Sequence, residues 1–482
     1  MMKVRKLFGL CVIMLVIGIG CVFPCSVQAD EKSVSRASDQ TSLEITVYNN
    51  NLGLVKDRRH LAIPSGTLLL SFMDVAEQIN PATVSIRSLT DPGSLAVLEQ
   101  NYEYDLLSPA RLLDKYVGQE VKLYSKNPYT DKEEIVTARV LSNAGGTPVF
   151  QIGNEITFGH PGRVIFPRIP DNLISRPSLI WLLKNDFKGK VQDIEAAYLT
   201  GGMSWQADYV LVLNEDDTLG NLSGWVTINN QSGATYANAT LKLVAGDVNR
   251  VQGGYGNGKV ARAALMDAAS APRFQEESFF EYHLYSLEHP TTLKERSTKQ
   301  INLLTAPKIQ IKKEYRLSNE GALYNEDAGD QEIKRKVGVS VSFKNTELNK
   351  MGMPLPKGII RAYKYDKSGS LQFTGEDTIP HTPKDETIRL KLGDAFDVAA
   401  TSKQTDWKKV SKDTYEASFK VTVRNHKSEA VQVLLSDLVP GDWRILESSH
   451  KAVKVSSSLL EMTVPVGKDG ETVATYRVRM RF

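Results

Sequence analysis

The chain has 482 residues, of which 41% are hydrophobic, enough to form real cores and too many for a disordered protein. At about 100–200 residues per domain, this length predicts about two to four domains. Three of the 59 basic residues lie in a predicted N-terminal signal, so 56 remain against 56 acidic residues. A mature protein without net charge has no bulk electrostatic reason to bind nucleic acid or an anionic membrane.

Residues 1–29 predict a signal peptide. The basic stretch Lys3–Lys6 precedes an apolar run, Leu7–Phe23, and residues 27–29 (VQA) suit cleavage before Asp30. An uncleaved membrane anchor and a lipoprotein modified at Cys21 are the alternatives. We therefore expect an exported protein, periplasmic or extracellular.

All three cysteines, Cys11, Cys21 and Cys25, lie within this signal. The cleaved chain would then have no cysteine, which excludes disulfides, thiol catalysis and cysteine metal sites. No later apolar run reaches the length of about 18 residues that a membrane helix needs, so none is predicted.

Residues 30–41 (DEKSVSRASDQT) are polar and predict a linker. The N-terminal β region that follows, residues 42–190, opens with a hairpin from Leu43 to Ile63 that bends at residues 49–51 (NNN). Later in this region, Leu179–Lys184 (LIWLLK) is short and apolar, and it predicts a buried strand.

Within the same region, residues 108–170 predict a small SH3-like barrel of about 60 residues. Pro109–Val117 predicts a short helix with Ser108 as its N-cap. Five short strands follow at close spacing, separated by glycine turns: Val121–Tyr124, Glu134–Leu141, Val149–Ile152, Glu155–Phe158 and Arg163–Phe166.

The clearest pattern lies between Tyr198 and Asn249 and predicts three strands in succession. Apolar residues recur at every second position: Trp205, Ala207, Tyr209, Leu211 and Leu213 in the first strand, Leu222, Val226 and Ile228 in the second, Leu241, Leu243 and Ala245 in the third. A half-buried strand needs this alternation because successive side chains point to opposite faces. Strand patterns continue to the last residue, so we predict an all-β, multi-domain protein with a β-sandwich domain over residues 191–482.

Three segments carry a family resemblance: Tyr198–Asn249, Pro354–Val398 and Tyr415–His450. In amino-acid sequence and in their order along the chain, they resemble a bacterial exported family of unknown function that is related to the mucoidy inhibitor A-like proteins. The resemblance implies a β-sandwich-type domain on exported envelope proteins, with no established activity and no catalytic residues. Relatives of that name carry a coiled coil between their β units, whereas this chain shows no a/d heptads.

One glycine-rich stretch has the spacing of a phosphate-binding loop. Gly253–Lys259 (GGYGNGK) fits G-x-x-x-x-G-K, and Ala261–Ala269 predicts a short helix after it. Val260, however, stands where a serine or threonine would ligate Mg²⁺. A flexible glycine-rich loop is therefore the preferred interpretation, and its role stays open.

Seven histidines are candidate metal ligands: His60, His160, His283, His289, His381, His426 and His450. His283 and His289 would lie about 20 Å apart on one straight strand, so they cannot share a metal. Only His381, with Asp385 and Glu386, has mixed ligand types, and the prolines around it indicate a structural loop. We therefore predict no metal site at the histidines.

Two acidic turns are candidate Ca²⁺ ligands: Asn214–Asp217, and Glu326, Asp327 and Asp330. Neither has the spacing of an EF-hand, so solvated turns are the preferred interpretation. Ser204 lacks the second glycine of a nucleophile elbow and precedes a strand. Trp205, Tyr209 and Trp225 are interpreted as core residues in preference to a sugar-stacking platform.

The last predicted strand is amphipathic. Tyr476, Val478 and Met480 alternate with three arginines, Arg477, Arg479 and Arg481. This pattern is typical of a closing sandwich strand with a solvated arginine face. A terminal aromatic residue on such a strand also resembles the end of an outer-membrane barrel, which is the alternative.

These observations favour a non-catalytic envelope protein that acts as a binding or assembly module. Its partner would be an unknown envelope protein or polysaccharide, and we predict no cofactor, catalytic residue or metal ligand. One alternative is an enzyme acting on envelope polysaccharide, which needs two carboxylates about 5–10 Å apart in a groove. The other is an outer-membrane β-barrel component.

Overall fold

The computed structural model describes residues 31–103, 108–126, 132–159, 162–168, 176–246, 248–249, 274–319, 327 and 331–482. Across these residues the regular structure is almost entirely β, which confirms the predicted all-β class. The predicted signal peptide, Gly253–Lys259 and the helix expected at Ala261–Ala269 lie outside them. In the described ranges, no helix combines the length and the apolar character needed to cross a membrane.

The first half of the described chain contains nineteen strands and the only α-helix found in the described residues, α1 (Pro109–Lys115). The strands are β1 (Glu31–Ser35), β2 (Gln40–Tyr48), β3 (Leu52–Leu61), β4 (Gly66–Met73), β5 (Ser85–Ser88), β6 (Leu95–Glu103), β7 (Glu120–Lys126), β8 (Glu133–Ser142), β9 (Val149–Ile152), β10 (Glu155–Phe158), β11 (Arg163–Ile165), β12 (Ser178–Asn185), β13 (Gln192–Thr200), β14 (Met203–Leu213), β15 (Leu219–Asn230), β16 (Tyr236–Ala245), β17 (Phe274–Phe279), β18 (Tyr282–Leu287) and β19 (Thr291–Leu293).

The second half continues with strands alone, apart from a short 3-10 turn at Glu347–Asn349. The strands are β20 (Ser297–Gln310), β21 (Lys312–Ser318), β22 (Glu332–Lys344), β23 (Gly358–Tyr365), β24 (Leu371–Ile379), β25 (Thr387–Lys409), β26 (Thr414–Asn425), β27 (Val431–Leu438), β28 (Asp442–Ser448), β29 (Ala452–Lys454), β30 (Leu459–Val466) and β31 (Gly470–Arg481). Further 3-10 turns lie at Ala37–Asp39, Pro81–Thr83 and Ala144–Gly146.

Three sheets contribute most of the largest hydrophobic core, and Val341 of β22 and Leu390 of β25 add to it from a further sheet. One has the strand order β1-β4-β12-β6, the second β17-β18-β16-β2-β3-β13-β5 with β19 paired to β16, and the third β20-β15-β14-β23-β24. Ile45, Trp181 and Tyr209, one from each sheet, are all buried in this core. The predicted domain boundary between residues 190 and 191 falls between β12 and β13, which contribute to the same core. The division of the chain into domains stays a prediction.

The three strands predicted between Tyr198 and Asn249 are β14, β15 and β16, and the apolar residues at alternating positions are buried as predicted. β14 and β15 form an antiparallel hairpin. β16 then leaves that sheet and pairs in parallel with β2, where Leu241 lies opposite Ile45. The alternation therefore identified the buried faces, whereas β16 completes a different sheet.

The polar segment expected to be a linker contains β1 and the start of β2. β1 pairs in parallel with β4. Ser35 is fully buried, and its hydroxyl accepts a hydrogen bond from Arg59 Nη1 at 3.1 Å. The guanidinium of Arg59 also lies 3.5 Å from the ring centroid of Phe72. The hydrogen bond between the inward-facing Ser35 and the buried Arg59 therefore helps to hold β1 in place, although the segment is polar in composition.

The predicted small module between β6 and β12 forms its own core around Leu123, Val140 and Phe150. Helix α1 begins as predicted, because the side chain of Ser108 accepts a hydrogen bond from Arg111 N at 3.2 Å. The five predicted strands are all present, in the order β10-β9-β8-β7-β11. β10 and β11 lie at opposite ends of this order, so closure into an SH3-like barrel is not confirmed.

The C-terminal part is a nine-stranded sheet in the order β28-β31-β26-β25-β22-β21-β27-β30-β29. Its two halves enclose a separate core, to which Phe419 contributes from β26, Leu435 from β27 and Val478 from β31. β31 lies between β26 and β28, so it is an inner strand of this sheet. The candidate site lies at one end of this core.

Candidate functional site

The candidate site is built on the hairpin that joins β25 to β26. The chain turns between Lys409 and Thr414. Strand pairing places Lys409 opposite Tyr415 and Trp407 opposite Ala417. Because alternate residues of a strand share a face, Trp407 and Tyr415 lie on the face that carries the buried Ala417. Both rings therefore extend the C-terminal core towards the hairpin end, where the core opens.

Three aromatic rings meet at this end. Trp407 and Tyr415 are stacked, with centroids 5.4 Å apart and an interplanar angle of 28°. Phe482 meets Tyr415 edge-on, at 5.8 Å and 66°. Stacked and edge-on contacts are the favourable geometries for aromatic pairs. The N–H of Phe482 donates to the carbonyl of Asp413 at 2.9 Å, which ties the third ring to the hairpin turn.

The rings form part of a cleft of about 890 Å³. Its lining residues are Asp327, Trp407, Ser411, Lys412, Asp413, Tyr415 and Phe482. Ligand pockets are typically about 300–1,000 Å³, with apolar walls and a few placed polar groups. The cleft fits that description in size, and its lining combines three aromatic side chains with four polar or charged ones.

Asp413 provides a fixed negative charge beside the rings. Its Oδ2 accepts from Arg481 Nε at 3.0 Å, and its Oδ1 accepts from the hydroxyls of Ser411 at 3.0 Å and Thr414 at 3.1 Å. The bond from Arg481 and then the two hydroxyl bonds lower the pKa of Asp413 below its ordinary value of 3.8. The carboxylate is therefore ionised at neutral pH and is a poor proton donor.

Two lysines supply positive charge at the same place. Lys409 Nζ lies 5.5 Å from the ring centroid of Tyr415, within the range of a cation–π contact. Lys412 is exposed on the turn. Neither lysine forms an ion pair with any carboxylate of the described residues. The site thus combines an aromatic surface, a carboxylate neutralised by Arg481 and the amine of Lys412 in the lining, with Lys409 next to it on the Tyr415 ring.

The six histidines in the described part of the chain do not come together into a metal site. In chain order, the ring of His60 contacts Asp193 Oδ1 at 2.7 Å, that of His283 contacts Glu276 Oε1 at 2.7 Å, that of His289 contacts the carbonyl of Pro290 at 3.2 Å, that of His381 accepts from Lys357 N at 3.2 Å, and that of His450 contacts Ser449 Oγ at 2.8 Å. His426 is exposed, and His160 lies outside the described residues. Nowhere in the described ranges do three or more metal-ligating side chains converge.

The loop that carries His381, Asp385 and Glu386 is held by its backbone. Asp385 N donates to Asn345 O at 2.7 Å, and Asn345 N donates to Glu386 O at 2.9 Å. The side-chain amide of Asn345 also donates to Pro383 O at 2.9 Å. These bonds support the structural interpretation of this cluster.

In the acidic turn Asn214–Asp217, Glu215 and Asp216 are exposed, as predicted, whereas Asp217 is ion-paired. Asp217 Oδ2 lies 2.6 Å from Lys313 Nζ, and its Oδ1 lies 2.6 Å from Lys364 Nζ. Burial raises the pKa of Asp217, but the bonds to the two lysines lower it by more, so the net shift is downward. Both carboxylate oxygens of Asp217, which a Ca²⁺ ion would need as ligands, are therefore already paired with lysine ammonium groups.

The remaining predicted residues have structural positions. Ser204 lies in β14 opposite Asn229. Trp205 and Tyr209 are buried core residues, and Trp205 Nε1 donates to Val244 O at 3.1 Å. Trp225 is half-buried in β15, on the face opposite Val226.

Of the three arginines predicted to form a solvated face on β31, Arg481 is exposed, whereas Arg477 and Arg479 are half-buried and ion-paired. Arg477 Nη2 lies 2.6 Å from Glu416 Oε2, and Arg479 Nε lies 2.7 Å from Glu416 Oε1. The side chain of Glu416 is 8% exposed, so both arginines converge on a nearly buried carboxylate. Tyr476, Val478 and Met480 are buried, as predicted.

Sequence reasoning missed the site formed by Trp407, Tyr415 and Phe482. It considered Asp327 only as part of a solvated acidic turn with Glu326 and Asp330, which lie outside the described residues; Asp327 is exposed and lines the cleft. One local signal was present: Trp407 and Tyr415 lie on either side of the polar turn at residues 411–413 (SKD). A hairpin across that turn brings the two rings together, but no local pattern reveals that Phe482 joins them.

No protein-family model matches the chain, and no curated protein matches it either. The fold and the site together define an all-β protein of several packed sheets with an aromatic-lined cleft at the end of its C-terminal core. The resemblance to exported proteins related to the mucoidy inhibitor A-like family stays a prediction.

Proposed function

We propose that this protein is an exported, non-catalytic binding module of the bacterial cell envelope, and that the cleft beside the β25–β26 hairpin is its ligand site. The carrying observation is the preassembled aromatic surface. Trp407, Tyr415 and Phe482 come from three strand ends that are held by strand pairing and by the bond from Phe482 N to Asp413 O. Rings that are already in place cost little entropy to order when a ligand binds.

The charge arrangement supports binding over catalysis. A general acid that works near neutral pH needs a raised carboxyl pKa. In the cleft, hydrogen bonds from Arg481 and two hydroxyls lower the pKa of Asp413. Elsewhere, Glu195 and Asp217 each contact two basic side chains, and both have lowered pKa values despite their burial.

An enzyme acting on envelope polysaccharide is the second candidate, because two carboxyl groups, Asp327 and Asp413, line one cleft. Glycoside hydrolysis uses a carboxyl pair about 5–10 Å apart, one of which has a raised pKa. The lowered pKa of Asp413 is the opposite of what the acid of such a pair requires.

The test is co-sedimentation of purified residues 30–482 with isolated bacterial envelopes. We expect the wild-type protein to sediment with the envelopes and Trp407→Ala to lose at least tenfold in apparent affinity. Phe396→Ala is the matched control, since Phe396 belongs to the same strand but is 98% exposed and lies outside the cleft. It should bind like the wild type.

Equal binding by all three proteins would contradict the proposal. The supernatant of the same incubation is assayed for released sugars. Release that Asp413→Asn or Asp327→Asn abolishes would establish the enzyme instead. Circular dichroism of each variant checks that its β structure is retained.

A further inference from the structure

The small module between β6 and β12 ends on one side in an edge strand, β10 (Glu155–Phe158), which pairs only with β9 among the described residues. Its two large apolar side chains are exposed, Ile156 to 62% and Phe158 to 78%. Strand pairing places Thr157 opposite Phe150, a core residue of the module, so Ile156 and Phe158 lie on the other face of the sheet. β10 therefore directs its apolar residues away from its own core.

Edge strands that face solvent usually carry charges that prevent further strand pairing. Within β10 (EITF), Glu155 alone is charged, and it stands at the start of the strand. We infer that β10 pairs in antiparallel orientation with β10 of a second copy of this chain, which joins two five-stranded sheets into one. This self-association is independent of the cleft and of the function proposed for it.

The first argument is the direction of the backbone groups of β10. Glu155 pairs with Ile152 across a two-residue turn, and Gly159 N donates to Pro148 O at 2.7 Å, so the odd-numbered residues bond to β9. In an antiparallel ladder, successive residues bond to alternate sides. The N–H and C=O groups of Ile156 and Phe158 therefore point outward, where a second strand can bond to them.

The second argument is that β10 is complementary to itself in one register. Residues that lie opposite each other in an antiparallel pair share a face, and Ile156 and Phe158 are on the same face. A two-fold axis at Thr157 places Ile156 of each copy opposite Phe158 of the other, and the two Thr157 side chains opposite each other. Pairs of a β-branched with an aromatic residue and pairs of threonines are both favourable across strands.

The third argument is charge. In this register Glu155 lies opposite Gly159 of the second copy, so the two Glu155 side chains are roughly 13 Å apart along the strands, beyond the Debye length of about 8 Å at physiological salt. A charged partner segment would find no counter-charge on Ile156, Thr157 and Phe158, whereas a second β10 is uncharged at the same positions. The contact is small, and small interfaces are typical of weak, reversible association. We therefore expect monomer and dimer in equilibrium.

A disulfide trap tests the predicted two-fold axis. Residues 30–482 contain no cysteine, so Thr157→Cys introduces their only thiol. The two residues at this position would form a non-hydrogen-bonded pair with Cα atoms about 4.5 Å apart, within the range of about 4.4–6.8 Å that a disulfide requires. Under mild oxidation, Thr157→Cys should run mostly as a covalent dimer on a non-reducing gel. Thr137→Cys, an exposed position on the inner strand β8 of the same module, should run mostly as a monomer.

A pair of charged variants tests the same contact without a covalent bond. In sedimentation velocity, wild-type residues 30–482 should shift towards twice the monomer mass as the concentration rises. Thr157→Lys and Thr157→Asp should each lose this shift, because like charges directly opposite each other destabilise strand pairing. An equimolar mixture of the two variants should regain the shift, because opposite charges then meet at the axis. This regain would also show that both variants are folded.

Three outcomes would overturn the inference. The first is a wild-type chain that stays monomeric at every concentration, with Thr157→Cys trapped no more often than Thr137→Cys. The second is a dimer that persists in Thr157→Lys, which would place the contact on another surface. The third is a monomeric wild type whose binding to envelopes is lost in Phe158→Ser, which would make the partner of β10 an envelope component and not a second copy.

Discussion

At the scale of residues, a buried charged side chain can have several hydrogen-bond partners, as Asp437 shows. Asp437 is fully buried in the C-terminal core, where its Oδ1 accepts from Arg335 Nη2 at 2.8 Å and its Oδ2 accepts from the hydroxyl of Tyr476. Arg335 Nη1 also donates to Ser402 Oγ at 2.9 Å. A buried ion pair adds little net stability over apolar side chains, but removing one partner leaves the other as an uncompensated charge.

We therefore expect Asp437→Ala to lower the free energy of unfolding by about 3–5 kcal/mol, because it leaves the nearly buried guanidinium of Arg335 without a counter-charge. Tyr476→Phe removes only one hydrogen bond to the same carboxylate and should cost about 1–3 kcal/mol. Urea denaturation followed by tryptophan fluorescence measures both. An equal loss of unfolding free energy in the two variants would show that the ion pair between Asp437 and Arg335 contributes no more to stability than the hydrogen bond from Tyr476.

At the scale of elements, β1 is the clearest example of a strand that the polar composition of its segment did not predict. β1 is polar, yet it adds a parallel strand to β4 and brings Ser35 onto the buried Arg59. Arg59 is also held by Asp57, at 2.8 Å, and by the carbonyl of Met73, at 2.8 Å. Ser35 therefore completes the set of partners around a cation that has no contact with solvent.

Ser35→Ala is expected to cost about 1–3 kcal/mol in the free energy of unfolding, because it removes a hydrogen bond to a buried charged group. The neighbouring Val34 is 48% exposed, so Val34→Thr should change the value by less than about 0.5 kcal/mol. Both are measured by urea denaturation. If the two substitutions had the same small effect, β1 would be attached without the support of Ser35.

Strand pairing explains which parts of the fold were predictable. The alternation of Trp205, Ala207 and Tyr209 predicts the buried face of β14, because the side-chain period of a strand is two residues. It does not predict the neighbouring strand. β16 pairs with β2, with Leu241 opposite Ile45, and β31 pairs with β26. The candidate site was not predicted for the same reason: Phe482 contacts Tyr415 only because β31 pairs with β26, and the alternation does not predict that pairing.

At the scale of the whole molecule, the balanced charge is arranged in a recurring pattern. Carboxylates on inner strands of two sheets each contact two basic side chains: in one sheet Glu44 contacts Lys56 and Lys242 and Glu195 contacts Arg58 and Arg87, and in the C-terminal sheet Glu416 contacts Arg477 and Arg479. Glu195 lies directly opposite both of its partners, on β3 and β5. Opposite charges placed across strands in this way stabilise a sheet.

This pattern predicts that acid destabilises the protein. For Glu44 and Glu195, burial raises the pKa, but the bonds and charges of the basic partners lower it by more, so both pKa values fall below 4.5. A carboxyl with a lowered pKa in the folded state stabilises the fold above its ordinary pKa, and that stability is lost as the pH falls through the folded value.

The free energy of unfolding should therefore stay level from neutral pH to about pH 5 and fall steadily below about pH 4.5. Urea midpoints measured at intervals between pH 7 and pH 3 test this expectation. Glu195→Gln should be less stable than the wild type at pH 7, because two arginines lose their carboxylate, and its stability should decline less steeply between pH 5 and pH 3. A wild-type midpoint that stayed constant down to pH 3 would mean that these ion pairs persist in the unfolded chain or contribute nothing to the fold.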